Sequence, residues 1–193
     1  MTKRDEILQA AVDCFKTFGY AKTSMNDIGK RVGMNKASLY YHFKDKLALY
    51  EAVIEKMRDE HRNTVNASLS EVIDISDQII CFLNHEIDFW SNVAINHQFN
   101  SSHKSETSEV IERIISKDAV VLHNIITRGI EQGLFIDCNA NEMTNIILQI
   151  GQGLLLVNCP LNLPTHQVFE GYSNVKLLID QSIRIFLKGL SQN

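Results

Sequence analysis

An all-α fold is what this sequence predicts, and three observations predict it. Proline occurs only at Pro160 and Pro164, so the chain before them holds no residue that removes a backbone donor. Apolar residues recur three and four apart through most of its length, the spacing that gathers them on one helix face. Capping and stopping residues, Ser24, Gly33, Asn35, Asp45, Gly133 and Asn139, fall between those runs. The pattern predicts about nine helices. A three-helix head over residues 1–47 is followed by a helical body over 48–193.

The first helix carries Ile7, Ala11, Cys14, Phe15 and Phe18 on one side and ends at Gly19, with Tyr20 placed to cover the turn. Ser24 is a good N-cap, and Asp27 three residues later suits the positive end of a helix, so the second helix begins near Met25. It runs to about Val32, because Gly33 supplies the left-handed backbone that ends a helix and Asn35 caps the next. Two short helices across such a turn form a helix-turn-helix. In the third helix Leu39 and Phe43 face inward, which turns Ala37, Ser38 and Tyr41 outward and leaves Tyr40 and His42 on the flanks. Tyrosine hydroxyls bond phosphate, their rings pack on sugar or thymine methyl groups, and Lys36 reaches a guanine edge or a phosphate. Lys46 follows the cap residue Asp45, where its own helix dipole disfavours a cation by roughly 0.3 to 1 kcal/mol. The expectation is a phosphate clamp made by Lys46 and the free amides of that helix end; the alternative is a solvated lysine.

Residues 7–49 are similar to the DNA-binding domain of the TetR family of bacterial transcriptional regulators. The resemblance rests on Phe18-Gly19-Tyr20, Thr23-Ser24, Asp27-Ile28, the Gly33 turn, Leu39-Tyr40-Tyr41-His42-Phe43 and Lys46, in that order. Gly29 stands where the family usually has alanine, Asn35 and Asp45 where it usually has serine, and Ala37 where glycine is common. Asn35 and Asp45 cap equally well. Gly29 should weaken its helix by about 0.5 to 1 kcal/mol unless close packing needs the missing side chain. The resemblance and the residues together make Thr23, Ser24, Lys36, Ala37, Ser38, Tyr40, Tyr41, His42 and Lys46 the candidate contacts to double-stranded DNA.

Charge is divided along the chain in a way that fits this reading. Residues 1–50 hold nine Lys/Arg and five Asp/Glu, a net of +4, and the remainder holds ten and eighteen, a net of -8. A basic head on an acidic body leaves the head as the surface that DNA attracts. The N-terminus lacks the apolar run of a secretory signal and no stretch is apolar enough to span a membrane, which points to a cytoplasmic protein. Cys14, Cys81, Cys138 and Cys159 lie far apart, so neither a zinc site nor a disulfide framework is signalled.

The body is expected to begin with a fourth helix over 46–63 that carries Leu49, Val53 and Met57 and links head to body. A central helix over 75–94 has Ile79, Leu83, Ile87, Trp90 and Ala94 in one stripe, widened by Phe82, Phe89 and Val93. Two shorter helices follow over 106–116 and 117–132, the second stopped by Gly133. Asn139 caps a long helix with Met143, Ile146, Ile147, Ile150 and Leu154, and the last helix, over 168–190, repeats Val175, Leu178, Ile179, Ile183, Phe186 and Leu190. Two such wide apolar faces predict a homodimer in which these helices pair with their copies as a four-helix bundle, and the family resemblance implies the same. A twofold dimer reads an inverted-repeat operator.

The resemblance also implies a small-molecule effector in the body, whose binding releases the operator as a repressor requires. Glu86 stands four residues after Phe82 and four before Trp90, so a carboxylate among aromatics could attract a cation. Phe82, Phe89, Trp90, Phe99 and Met143 could line an apolar pocket, with His61, His85 and His103 as polar neighbours. The competing reading makes Glu86 a partner of a nearby histidine, arginine or backbone group and the aromatics simple core. The histidines share no helical turn, so no metal ligand or cofactor is assigned. No G-x-S-x-G, H-E-x-x-H or phosphate-binding glycine loop occurs, which leaves an enzyme built on Cys138 or Cys159 with a histidine as a remote alternative and assigns no catalytic residue. A DNA-binding protein without an effector is the third reading.

Overall fold

The computed structural model describes residues 2–97, 104–158 and 165–191. Eight helices occur among them: α1 (Lys3–Lys22), α2 (Met25–Arg31), α3 (Lys36–His42), α4 (Lys46–Glu71), α5 (Ile75–His97), α6 (Lys104–Glu131), α7 (Ala140–Asn158) and α8 (Thr165–Leu190). The fold is all-α. The two helices expected over 106–132 are one, α6, because no glycine or proline interrupts the chain between Lys104 and Arg128. Its stop is Gly133, at φ 68°. No helix among the described residues is long and apolar enough to cross a membrane.

The chain divides into two compact units, Met1–His61 with Asn92–Ile114, and Arg62–Ser91 with Ile115–Asn193. The first unit therefore holds α4 as far as His61, beyond the 1–47 span expected for the head.

In the first unit, α1, α2 and α3 pack in sequence around Ile7, Ala11, Phe15, Ile28 and Leu39, all fully buried, and Leu49 and Val53 bring the start of α4 onto the same core. Gly19 breaks α1 at φ 76° and turns Tyr20 inward. There the Tyr20 ring meets Tyr50 at 4.9 Å and Phe15 at 5.9 Å, with Phe15 and Tyr50 edge to face at 5.5 Å. Burial pushes the Tyr50 hydroxyl far above the ordinary phenol range, so it stays protonated.

The second unit is centred on α5, whose Ile75, Ile79, Phe82, Leu83 and Ile87 are buried with Leu122, Ile125 and Ile126 of α6, Met143 and Ile147 of α7, and Val175, Ile179, Ile183 and Leu187 of α8. Polar bonds fix the helix register. Arg128 donates to the side chain of buried Gln78 at 2.6 Å, and Gln78 donates to the Val72 carbonyl at 2.6 Å. Lys176 and Arg184 of α8 pair with Asp88 and Asp77 of α5 at 2.6 and 2.8 Å. Gly129 seats Phe135 so closely that a Cβ there would lie 2.3 Å from its ring. The neighbouring Ile136 N–H donates to the Leu190 carbonyl at 2.8 Å, tying the α6–α7 connection to the end of α8.

Candidate nucleic-acid interface and body cavity

The reading pair is held by bonds made over a few residues of chain. The Ser24 hydroxyl accepts from the Asp27 N–H while the Asp27 carboxylate accepts from the Ser24 N–H, a complete capping box at the start of α2. These bonds, with the hydroxyl–carboxylate bond first, hold the Asp27 carboxyl below its ordinary range. Gly33 makes the turn at φ 66°, and Asn35 caps α3 by accepting from the Ser38 N–H at 2.8 Å. Gly29 has its packing reason: a Cβ there would lie 2.9 Å from the Met34 carbonyl oxygen, at the point where the Met34 N–H bonds the Gly29 carbonyl at 2.8 Å. The helix-propensity loss expected from Gly29 is thus set against a clash that alanine would introduce.

Leu39 and Phe43 anchor α3 in the core, and the opposite face is open. Lys36, Ala37 and Tyr40 are exposed, Ser38 is half-buried, and Tyr41 is 88% exposed. Lys36 lies over the Tyr40 ring at 5.7 Å, and Tyr41 stands edge-on to half-buried His42 at 5.5 Å. A ring this exposed on a seven-residue helix adds little to the packing of the described residues. Hydroxyl donors, two aromatic faces and an ammonium on one convex helix can meet both phosphates and base edges.

Two expected contacts are placed differently. Thr23 is buried, and its hydroxyl donates to the carbonyls of Gly19 at 2.8 Å and Cys14 at 3.2 Å. The Gly19 carbonyl also accepts from the Thr23 N–H at 3.2 Å, so Thr23 closes the end of α1 with both its backbone and its side chain. Lys46, expected at a phosphate, is half-buried. Its ammonium donates to the carbonyls of Tyr20 at 2.9 Å and Thr23 at 3.1 Å and sits 4.2 Å from the Tyr20 ring centre.

In the second unit a partly open cavity of about 40 Å³ is lined by residues of α5, α6, α7 and α8. It brings together three of the residues expected to line a pocket, Phe82, Glu86 and Trp90, and adds Gly151, Leu155 and Ile179, among others. The other expected residues lie elsewhere. Phe89 is buried edge-on to Trp90 at 5.1 Å, Met143 is buried beside the Cys138 sulfur at 3.7 Å, and His85 is half-buried outside the cavity lining. His61 belongs to the first unit, and Phe99 and His103 lie outside the described residues.

No group of three or more metal-ligating side chains occurs among the described residues. Burial raises the thiol pKa of Cys14 and Cys81 and keeps both protonated; Cys159 lies outside the described residues.

Comparison with known proteins agrees with this architecture. The family model described as "Bacterial regulatory proteins, tetR family" matches residues 7–53. The biofilm operon icaADBC HTH-type negative transcriptional regulator IcaR of Staphylococcus aureus (strain Newman) is 39% identical over 62 residues, 32% of this chain and 33% of that protein. The match thus spans about a third of the length of the curated relatives. Whole-chain likeness comes from solved structures. A transcriptional regulator from Cytophaga hutchinsonii superposes with a TM-score of 0.75 at 25% identity, covering 97% of this chain and 98% of that one. The transcriptional regulator FadR of Bacillus subtilis, solved in complex with stearoyl-CoA, shares the fold with a TM-score of 0.65 at 18% identity over 92% of this chain and 97% of its own.

Proposed function

From the premise that this chain belongs to the TetR family of bacterial regulatory proteins, we propose that it is a cytoplasmic, homodimeric repressor that a small molecule releases from an inverted-repeat operator. The observation that carries the reading is the open face of α3, where Lys36, Ala37, Tyr40 and Tyr41 stand exposed behind a fully buried Leu39. Residues 1–47 read DNA and 48–193 sense and dimerise. Ser24 and the exposed flank of α3 meet phosphates, and Lys36 with Ser38 reads bases.

Dimerisation is supported by the uncovered apolar side chains of the last two helices. Ile146 and Val157 on α7 and Leu177 and Ile185 on α8 are 44%, 78%, 59% and 74% exposed, and Gly153, four residues before Val157, has open space where a Cβ would be. A copy of the same two helices covers them in the dimer.

The effector is an organic cation held by Glu86 between Phe82 and Trp90, since a carboxylate and an indole face both attract positive charge. Ligand pockets for drug-sized molecules run to about 300–1,000 Å³. A cavity of about 40 Å³ must therefore open for one, and displacement of its walls is the means by which binding is felt elsewhere.

Selection from a randomised duplex library tests the DNA reading: the protein should enrich an inverted repeat, and its footprint should cover two half-sites one helical turn apart. Enrichment of no sequence, or of a single half-site at full affinity, contradicts it. Release of the enriched duplex by a panel of organic cations tests the effector reading.

A further inference from the structure

The second unit holds a polar atom that the cavity wall does not account for. The Nδ1 atom of His123, on α6, is buried and makes no hydrogen bond, while the other ring nitrogen, Nε2, stands 3.5 Å from the Thr127 hydroxyl. Buried polar atoms are nearly all paired, and one without a partner costs about 1–3 kcal/mol, so this one calls for a functional account. Its place in the unit supplies one. Ala119 lines the cavity, and His123 follows it by four residues, on the same face of α6 and one turn further along. Helices α5 and α6 run antiparallel: Ile75 lies against Gly129, Gln78 bonds Arg128, and Glu86 and Ala119 share the cavity wall. That register sets His123 level with Phe82, the cavity residue one turn before Glu86. Because Nδ1 is shut off from solvent, a partner must reach it from inside the unit, and the cavity is the space that this face of α6 adjoins.

We propose that His123 is the second polar anchor of the effector site: the organic cation held by Glu86 also carries a hydroxyl or a similar hydrogen-bonding group, which reaches the His123 Nδ1 as the cavity opens along α6. The proposal rests on the reading of this cavity as the site of a cationic effector. Glu86 alone selects for positive charge. An imidazole nitrogen beside an apolar wall selects for shape as well, since a cation that lacks the second group, or carries it at the wrong distance, leaves the nitrogen unpaired. A hydroxyl suits either tautomer of the ring, because it both donates and accepts. Four residues of α6 rise about 6 Å, so the ammonium and the hydroxyl should be joined by about four or five carbons.

The test uses matched probes on the full chain: linear amino alcohols with the hydroxyl and the amine at opposite ends, from 3-amino-1-propanol to 8-amino-1-octanol, each paired with the alkylamine in which a methyl group replaces the hydroxyl. Calorimetric titration of the wild type should show the amino alcohol binding about tenfold tighter than its partner at the middle lengths, with the preference fading at both ends of the series. In His123→Phe, which keeps an aromatic ring but removes both nitrogens, the two members of each pair should bind equally. A wild type that does not distinguish the pairs, or a preference retained in His123→Phe, overturns the proposal. If the variant does not fold, the wild-type protein decides: the nitrogen NMR signal of the His123 Nδ1 should move with the amino alcohol and stay in place with its alkyl partner, and movement with both or with neither overturns it. Failure of every amine to bind the wild type, or binding to Glu86→Gln as tight as to the wild type, sinks the reading of the cavity as a cation site, and the proposal with it.

Discussion

The face of α3 and the cavity among α5, α6, α7 and α8 are assembled over different distances of chain. Asn35 caps α3 at Ser38, Ser24 and Asp27 close the start of α2, and Gly33 makes the turn between them, so the reading pair is aimed by its own neighbours. The cavity takes Glu86 and Trp90 from α5, Gly151 from α7 and Ile179 from α8, and its shape exists only when four helices are in register. A reader aimed locally stays the same while the rest of the chain moves, and a cavity made of distant parts changes whenever its helices shift. Those are the properties that a DNA-reading head and a sensing body need.

The largest effect that could break this comparison comes from beneath α3. Leu39 is fully buried, and Leu39→Ala should destabilise its unit by about 2–5 kcal/mol and abolish sequence-selective DNA binding. Circular dichroism should show most of the helix content retained before the melt, with operator binding lost in a mobility-shift assay. A variant that melts and binds as the wild type does would mean that α3 is not seated by its core.

The next effect belongs to the body. Ile185 is 74% exposed, and Ile185→Lys places a charge on the face proposed to meet a second copy. Loss of an interface anchor of this kind is worth about 2 kcal/mol, so the dimer dissociation constant should rise roughly thirtyfold in sedimentation equilibrium. An unchanged dimer would move the interface away from α8.

Glu86→Gln separates the two regions most directly. Hydrogen bonds to charged groups contribute about 1.5–3 kcal/mol, so a cationic effector that releases the wild type should be needed at ten times the concentration or more, while operator affinity without it is unchanged. A full response in this variant would assign Glu86 to the body's internal bonding. A change in operator affinity without effector would show that the two regions are less separate than their construction implies.

How much of each region could be read from the chain follows from the same contrast. Ser24, Gly33 and Asn35 announce their roles because each acts on residues two to four positions away, within reach of any local reading. Glu86 was recognisable with Phe82 and Trp90 because one helix carries all three. Gly151, Leu155 and Ile179 were not, since nothing in their own helices says which face of α5 they meet. Lys46 is the instructive intermediate. Its conflict with its own helix was legible and pointed to a partner outside it, but the partner carbonyls belong to Tyr20 and Thr23, more than twenty residues earlier. The Thr23 hydroxyl is a similar case, because its acceptors, the Gly19 and Cys14 carbonyls, are brought to it by the break in α1.

The smallest effect tests how local the aiming of α2 is. Ser24→Ala removes the cap and should cost about 1 kcal/mol at neutral pH. The bonds from Ser24 depress the Asp27 carboxyl below its ordinary value in the folded protein, so their contribution is present above the unfolded value near 4 and is lost as pH falls through the folded one. In Ser24→Ala the hydroxyl bond is gone while the backbone N–H at position 24 still donates, so the Asp27 pKa rises part of the way toward its ordinary value and this pH dependence weakens. Chemical denaturation of the two proteins should therefore give stability curves that lie apart at pH 7 and draw together below about pH 4. Curves that stay parallel down to that range would show that Asp27 keeps its charge by means other than Ser24, and that the aim of the reading pair depends on more than its own few residues.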